Sequence, residues 1–287
     1  MLSVTAIVPT CDRPVLLERA LRSIAAQELG PLEIIVVDDA GGGHEDATRG
    51  AVEQWGFGNV RVIANTHAKG ASGARNAGAE LAVGELLAFL DDDDEWLPSY
   101  LSEGLGQFEA EDLDILCADL FCQFDDGVDR LAKTAPDRLA PELFLTINPG
   151  LGGSNVIIRR SLYREIGGFD ESLLTSEDMD LGIRLSLRGE VKYERLPKRL
   201  VRFHQHKGAK LCTPAGDAMR AGMRRFYELH SHRMTEVQRE EFRGNLRRFW
   251  GIDEYGNILN LPLRPVSDSL LPTLKAWLDQ QRRGFRN

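Results

Sequence analysis

The feature that most constrains the fold is an alternation of short apolar runs and helical patterns across the first hundred residues. The runs at residues 4–8 and 34–37 are rich in β-branched residues and apolar on both faces, as in strands buried within a parallel sheet. Between them, Leu17, Leu21 and Ile24 recur at helical spacing. This alternation predicts an α/β protein whose mainly parallel, twisted sheet is flanked by helices.

The same patterns predict the remaining elements and the domains. Further strands are predicted at residues 60–64, 85–90, 113–122, 154–158, 191–193 and 200–203, further helices at 45–55, 75–81, 98–108, 161–166 and 177–187, and a mostly irregular stretch at 127–149. From about residue 213 the pattern is helical. We therefore predict one domain over residues 1–212, with halves at about 1–112 and 113–212, followed by a helical C-terminal extension over residues 213–287.

Polar clusters follow the ends of the first four predicted strands. They lie at residues 10–13, 38–39, 67–76 and 91–94. In parallel α/β sheets, ligands bind beyond the carboxyl ends of the strands. We therefore expect the four clusters to converge on one rim and to form a binding site there.

The cluster at residues 91–94 consists of four consecutive aspartates, and Glu95 follows them directly. Adjacent carboxylates repel one another, and core packing does not require them. A divalent cation such as Mg²⁺ or Mn²⁺ would offset this repulsion, because both ions prefer oxygen ligands. The alternative is a solvated acidic turn that caps the next helix.

Composition excludes some classes of protein. The net charge of -9 argues against a nucleic-acid partner, which requires clustered Lys and Arg. The four cysteines have the spacing of neither a zinc site nor a disulfide framework, and this indicates free thiols in a reducing cytoplasm. The N-terminus lacks the pattern of a signal peptide, and no window reaches the length of a membrane span. These features together predict a cytoplasmic protein.

Six segments, taken in order, resemble the signature of family-2 glycosyltransferases. They are I-V-P-T-C-D-R at 7–13, V-V-D-D at 36–39, G-A-R-N-A-G at 73–78, F-L-D-D-D-D at 89–94, G-G-F-D at 167–170 and S-E-D-M-D-L at 176–181. Each segment alone is a weak signal, but six in order at sensible spacing are a strong one. The resemblance implies a GT-A (Rossmann-like) fold and inverting transfer of a sugar from a nucleotide-diphosphate donor.

The resemblance also implies a set of nucleotide-sugar-binding residues. Asp39 would accept the N–H of a uracil-type base, and Pro9, Thr10 and Arg13 would line the nucleotide pocket. Arg75 matches the arginine of the family and could fork onto a phosphate or a base carbonyl. Other roles remain open: Asp39 as a cap, Arg13 as a surface residue, and Arg75 as an ion-pair partner of the acidic run.

The resemblance also implies the family pattern D-x-D followed by another acid, which would place the key acidic pair at Asp91 and Asp93. Asp93 would then be the ligand of Mn²⁺ or Mg²⁺, and Asp91 would contact the ribose or the metal. Asp92 would occupy the variable position on the nucleotide-sugar side, with Asp94 available to assist. A register shifted by one residue, with Asp92 and Asp94 as the pair, remains open.

The second half of the resemblance implies a general base and a further metal ligand. Asp178 is the candidate base, although Glu177 and Asp180 flank it and all three acids also suit a helix N-terminus. His204 or His206 would complete the metal site, and we favour His206.

The expected function is non-processive transfer, because the Q-x-x-R-W segment of processive synthases is absent. Expected partners are a UDP-, dTDP- or GDP-sugar and a saccharide or small-molecule acceptor. Apolar residues between 270 and 278 could form an amphipathic helix for peripheral membrane contact or homodimer formation. The alternatives are a sugar nucleotidyltransferase and a non-catalytic protein that binds nucleotide sugars.

Overall fold

The structure is a computed structural model that describes residues 2–124, 129–205 and 217–250. Its strands are β1 Val4–Thr10, β2 Glu33–Asp38, β3 Val60–Ala64, β4 Leu86–Phe89, β5 Glu95–Trp96, β6 Ile115–Phe124, β7 Asp129–Lys133, β8 Val156–Arg159 and β9 Tyr193–Gln205. Its helices are α1 Pro14–Ala25, α2 His44–Gln54, α3 Ala71–Leu81, α4 Tyr100–Glu111, α5 Pro141–Phe144, α6 Arg160–Glu165, α7 Glu177–Arg188, α8 Asp217–His230 and α9 Glu236–Trp250.

The strands form one sheet in the order β3-β2-β1-β4-β8-β6-β9-β5, and β7 pairs with β6. Strand β1 runs parallel to both β2 and β4, and β2 runs parallel to β3. The predicted parallel arrangement therefore holds for the first four strands. Strand β8 is antiparallel to both β4 and β6, and β9 is parallel to β6. The second half of the sheet is thus mixed, and antiparallel β8 joins it to the parallel half.

Side chains of successive strand residues point to opposite faces of the sheet, and each face has its own apolar cluster. In β1, Ile7 belongs to the cluster beneath α3, α7, α8 and α9, whereas Val8 belongs to the cluster beneath α1 and α4. All seven residues of β1 are buried. Coverage of both faces explains the continuous apolar runs in the sequence and confirms the predicted α/β class.

The stretch predicted to be mostly irregular, residues 127–149, is so among the residues described, but it also contains β7 and the short helix α5. One prediction for the second half was wrong. The two strands predicted at residues 191–193 and 200–203 are one strand, β9. Its pairing with β6 passes from Leu196 directly to Arg199, so Pro197 is left out of the register. A proline that would interrupt a regular strand is accommodated in such a bulge.

Helix α3 begins at Ala71, four residues earlier than predicted. The small residues of its first turn lack the apolar periodicity that reveals a helix in a sequence. Strand β5 was not predicted, because two residues are too short to show a pattern.

The predicted helical pattern after residue 213 is confirmed in α8 and α9. These two helices pack on the face of the sheet that α3 covers. Their residues in the apolar cluster that contains Ile7 include Met219, Met223, Phe226 and Phe242. Residues 251–287, with the predicted amphipathic helix, lie outside the described residues, and the domain boundary at residue 212 stays a prediction. Within the described part of the chain, no helix has both the length and the apolar character needed to cross a bilayer.

We expect Gly78→Ala to destabilise the protein by about 1 to 3 kcal/mol, because the packing between α3 and the sheet leaves no room for a methyl group. A Cβ atom at Gly78 would lie 2.6 Å from Cγ2 of Ile7 and 3.1 Å from Cγ2 of Val37. Gly50→Ala in α2 is the matched control, because a Cβ atom there meets open space. The control should stabilise the helix by up to about 1 kcal/mol. Urea denaturation measures both effects, and equal changes would contradict this account of the packing.

Candidate active site

The polar clusters at the ends of the first strands converge on one rim of the sheet, as predicted. They line a first pocket of about 530 Å³, a volume typical of small-molecule binding sites. All seven residues predicted to bind the nucleotide sugar are on its wall: Pro9, Thr10, Arg13, Asp39, Arg75, Asp91 and Asp92. The wall also includes Lys69, Glu177 and Phe203.

The two aspartates at the end of β2 have different surroundings. Asp38 is buried, and its carboxylate accepts hydrogen bonds from Thr48, from His44 at 2.9 Å and from the Ala40 amide at 2.8 Å. Burial alone would raise the pKa of Asp38, but these hydrogen bonds hold it below its ordinary value. Asp38 is therefore a structural residue that fixes the start of α2, and Asp39 is the member of the pair that lines the first pocket.

Asp39 also fixes the shape of the loop that precedes α3. Its Oδ1 accepts a hydrogen bond from the Asn65 amide at 2.6 Å, and its Oδ2 accepts one from the Gly70 N–H at 2.9 Å. Gly70 has a φ of 123°, a conformation that side chains rarely allow. A carboxylate has about four lone-pair positions, so Asp39 can accept a further hydrogen bond from a ligand.

Arg75 is 3% exposed and joins the two halves of the site. Its Nη2 lies 2.5 Å from Asp91 at the end of β4, and its Nη1 lies 3.0 Å from Glu177 at the start of α7. The guanidinium also lies over the ring of Phe169, 5.0 Å from its centroid. Burial disfavours the charge of Arg75, but the two carboxylates raise the pKa of the guanidinium above its ordinary value. Arg75 thus forms the ion pair with the acidic run that the sequence left open, and it still lines the first pocket.

Close packing around Arg75 depends on a glycine in the loop before β8. A Cβ atom at Gly153 would lie 2.6 Å from Nη2 of Arg75. Any larger residue at this position would displace the guanidinium from Asp91. The sequence G-G-S-N at residues 152–155 is therefore part of the site.

The four aspartates of the acidic run have two different environments. Asp91, Asp93 and Asp94 each offer a carboxylate oxygen, and these three atoms lie within 4.8 Å of one another. We call these three residues the acidic cluster. Asp92 points away from it, accepts a hydrogen bond from the Thr10 hydroxyl at 2.7 Å and pairs with Arg13 at 2.5 Å.

Two members of the run are fully buried, and burial changes their protonation. Burial raises the pKa of Asp92 to about 7, although the Arg13 guanidinium and the Thr10 hydroxyl oppose the change. Burial also raises the pKa of Asp94 well above its ordinary value, and the charges of Asp93 and Asp91 raise it further. Without a further positive partner at this position, burial therefore favours the protonated, uncharged form of both carboxyl groups.

A second pocket of 360 Å³ adjoins the first. Four residues line both pockets: Arg75, Asp91, Glu177 and Phe203. Asp178 lines the second pocket, and its Oδ2 accepts a hydrogen bond from the Asn148 amide at 2.5 Å. Asp178, the candidate base, thus lies beside the junction of the two pockets. Its carboxylate is held by Asn148, which is distant from it in the sequence.

The structure separates the three acids at the start of α7. Glu177 is the ion-pair partner of Arg75. Asp180 is buried, pairs with Arg184 at 2.7 Å and lies 2.8 Å from Nε2 of His230. Burial raises the pKa of Asp180, but the hydrogen bond from His230 and the charge of Arg184 together lower it below its ordinary value. Of the three acids, Asp178 lines only the second pocket, Glu177 lines both pockets, and Asp180 lines neither.

Of the two candidate histidines, the structure describes His204 but not His206. Nε2 of His204 lies 2.6 Å from Oε1 of Glu95, and the backbone N–H of His204 donates to Asp94 at 3.2 Å. His204 therefore braces the acidic run through its backbone. His206 lies outside the described residues, and its assignment as a metal ligand stays a prediction.

Sequence reasoning missed several residues of the site. Phe203 belongs to no motif, and only the fold brings it to the rim. Lys69 lies in the polar cluster predicted at residues 67–76, but no motif gives it a role. Asn148 precedes Pro149 and Gly150, a combination typical of a turn, but that signal gives no direction for its side chain. Ser154 donates to Asp94 at 2.5 Å and accepts from the Asp91 N–H at 3.1 Å.

Comparison with known proteins agrees with this site. The family model described as "Glycosyl transferase family 2" matches residues 5–167. The "Uncharacterized glycosyltransferase" of Haemophilus influenzae is 30% identical over 188 residues, which cover 64% of this chain and 62% of the relative. The "GalNAc(5)-diNAcBac-PP-undecaprenol beta-1,3-glucosyltransferase" of Campylobacter jejuni is 40% identical over 105 residues, 36% of this chain and 33% of the relative. The chain therefore spans less than two thirds of either relative.

A solved structure shows the same fold. The crystal structure of S. aureus TarS residues 1–349 in complex with UDP-GlcNAc superposes with a TM-score of 0.65 at 20% identity, and the match covers 91% of this chain and 76% of that TarS chain. This likeness confirms the GT-A architecture. The family model covers more than half of the chain, and all six motifs of the resemblance lie within the described residues. The chain belongs to glycosyl transferase family 2.

Proposed function

We propose that the protein transfers a sugar from a nucleoside-diphosphate donor to the hydroxyl group of an acceptor. The observation that carries this proposal is the junction of the two pockets at Arg75, Asp91, Glu177 and Phe203. Such a transfer requires two substrates that meet at one carbon atom, and two adjoining pockets provide that arrangement. The candidate base lies on the wall of only one of them, as expected for the acceptor side.

The first pocket suits the donor. Asp39 offers its carboxylate to a base N–H, and Arg13, Lys69 and Arg75 supply positive charge for phosphates. We propose UDP as the nucleotide, because TarS was crystallised with UDP-GlcNAc. The name of the Campylobacter jejuni relative specifies glucosyl transfer to a lipid-linked saccharide. A saccharide acceptor for this chain is proposed by analogy with it.

The residues of the acidic cluster fit a divalent cation. Among the residues that the structure describes, five carboxylates line the first pocket, namely Asp39, Asp91, Asp92, Asp93 and Glu177, and three basic side chains accompany them. A diphosphate would meet a net negative wall, and the spacing of the acidic cluster allows its oxygens to share one ion. We propose that Asp93 and Asp91 hold Mn²⁺ or Mg²⁺ and that Asp94 supports them. The ion would offset the negative charge that develops on the leaving diphosphate.

Asp178 is proposed as the general base of an inverting reaction. The acceptor oxygen forms a bond to the anomeric carbon, and its proton passes to the carboxylate of Asp178. The bond between that carbon and the diphosphate oxygen breaks at the same time, and the nucleotide leaves with the electron pair. Attack and departure on opposite faces of the carbon invert its configuration. The hydrogen bond from Asn148 orients the carboxylate for this role.

We expect Asp178→Asn to lower transfer by about 10²- to 10⁴-fold, because the amide cannot accept the proton. Binding of UDP, measured by calorimetry, should be unchanged, because Asp178 does not line the first pocket. Asp137→Asn is the matched control, because this exposed carboxylate pairs only with Arg195 among the contacts described for it. Turnover with several UDP-sugars is followed by release of UDP. Undiminished turnover in Asp178→Asn would exclude this base, and release of inorganic diphosphate would indicate a nucleotidyltransferase.

We expect Asp93→Ala to abolish the strengthening of UDP binding by Mn²⁺, because the acidic cluster loses a ligand oxygen. Calorimetric titrations of UDP with Mn²⁺ and with EDTA measure this difference. Asp46→Ala, which removes an exposed carboxylate of α2, should behave like the wild type. An equal effect of Mn²⁺ on Asp93→Ala and the wild type would contradict the assignment of the metal.

The raised pKa of Asp92 predicts how stability depends on pH without metal. The native state favours the protonated form of Asp92, and this preference stabilises the folded protein. The stabilisation is fully present below the ordinary pKa of about 4 and is lost as pH rises through about 7. Relative to Asp92→Asn, the wild type should lose about 2 kcal/mol of unfolding free energy between pH 5 and pH 8 in EDTA. Urea denaturation at both pH values measures this difference. A constant difference would show that Asp92 keeps an ordinary pKa.

A further inference from the structure

We propose that helix α8 positions the candidate base, and that Gly222 and Met223 are the positioning residues. This inference rests on the proposed function, and it concerns a helix that lies beyond the residues matched by the family model. The helix contacts the turn at Thr175 and Ser176, which directly precedes Glu177 and Asp178.

Gly222 allows α8 to approach this turn closely. A Cβ atom at position 222 would lie 2.4 Å from Cγ2 of Thr175 and 2.6 Å from the backbone nitrogen of Thr175. Atoms at these distances overlap, and the backbone nitrogen cannot rotate away as the end of a side chain could. Glycine is otherwise unfavourable inside a helix, so its presence here matches a requirement for close contact.

The turn that Gly222 contacts has an unfavourable backbone conformation. Ser176 has a φ of 64°, which is uncommon for a residue with a side chain and requires support from its surroundings. The hydroxyl of Ser176 donates to Sδ of Met223 at 3.5 Å. Contacts from one turn of α8 therefore hold the conformation from which α7 begins.

A second attachment fixes α7 one turn further on. Nε2 of His230, at the end of α8, lies 2.8 Å from Oδ1 of Asp180, and both residues are buried. The first turn of α7 is thus held on both sides of Asp178. Met219 and Met223 also line the second pocket, so the helix that braces the base forms part of the proposed acceptor site.

Displacement of this turn should affect the reaction more than donor binding. A displacement of about 1 Å can lower a rate by about 10²-fold when the reacting groups no longer align. Asp178 lines the second pocket together with Met219 and Met223 of α8, whereas the nucleotide residues Asp39 and Arg13 line the first pocket and not the second. A purely structural role for α8 would instead change stability without this selectivity.

We expect Gly222→Ala to lower kcat for transfer by about 10²-fold with the donor KM and the UDP affinity unchanged. Amide hydrogen exchange in residues 176–181 should become about tenfold faster, because the contact that holds the turn is displaced. Gly244→Ala in α9 is the matched control, because a Cβ atom there meets open space, and it should retain wild-type kcat and exchange. All measurements use the full chain with UDP and a UDP-sugar that supports transfer.

A milder pair of variants covers the case in which Gly222→Ala does not fold. Met223→Leu preserves the volume but removes the sulfur that accepts the Ser176 hydroxyl, and Met234→Leu is its buried control. We expect a several-fold loss of kcat and faster exchange in residues 176–181 for Met223→Leu only. Normal kcat and normal exchange in both α8 variants, with an active wild type, would overturn the inference and leave the proposed function intact. A wild type that transfers no sugar would refute the proposed function, and hydrogen exchange alone would then decide whether α8 holds the turn.

Discussion

The buried ion pairs of Arg75 connect the parallel half of the sheet to the second half of the molecule. A guanidinium that is 3% exposed pays a large desolvation cost unless charged partners surround it. Asp91 and Glu177 are those partners, and they come from the end of β4 and the start of α7. Arg75 therefore links the end of β4 to the start of α7, and both of these segments form walls of the two pockets. Loss of either carboxylate would leave the buried guanidinium with one anionic partner instead of two at the junction of the pockets.

Negative charge is the second constraint on this site. Arg13 partly compensates Asp92, and Arg75 partly compensates Asp91. Asp94 is buried, and within the described part of the chain its side chain accepts hydrogen bonds from Ser154 and the His204 N–H. A fold that buries so many carboxylates loses stability unless something positive offsets them. The proposed cation and its diphosphate ligand would supply this compensation, which links the stability of the rim to its occupation.

Much of the architecture could be predicted from the sequence because it depends on short-range patterns. Continuous apolar runs identified the first four strands, and the strand-end rule placed four polar clusters on one rim, where the seven predicted nucleotide residues lie. The second half was harder to predict. Pro197 suggested two strands where a bulge lets one strand continue, and α8 gave no sign that it would reach the site. Motifs reveal residues whose chemistry is local, whereas supporting helices show only generic helical periodicity.

The sequence by itself determined the α/β class, the order of the elements of the parallel half, and the set of acids and basic residues available for the site. Only the tertiary structure decided which of these residues act together. Four consecutive aspartates are equivalent in a sequence, but Asp92 turns to Thr10 and Arg13 while its three neighbours form the acidic cluster. Likewise, Asn148 meets Asp178, and Gly222 meets Thr175, across long separations in the chain. The reason is physical: backbone periodicity is a local property, whereas ion pairing and close packing depend on distances that only the folded chain defines.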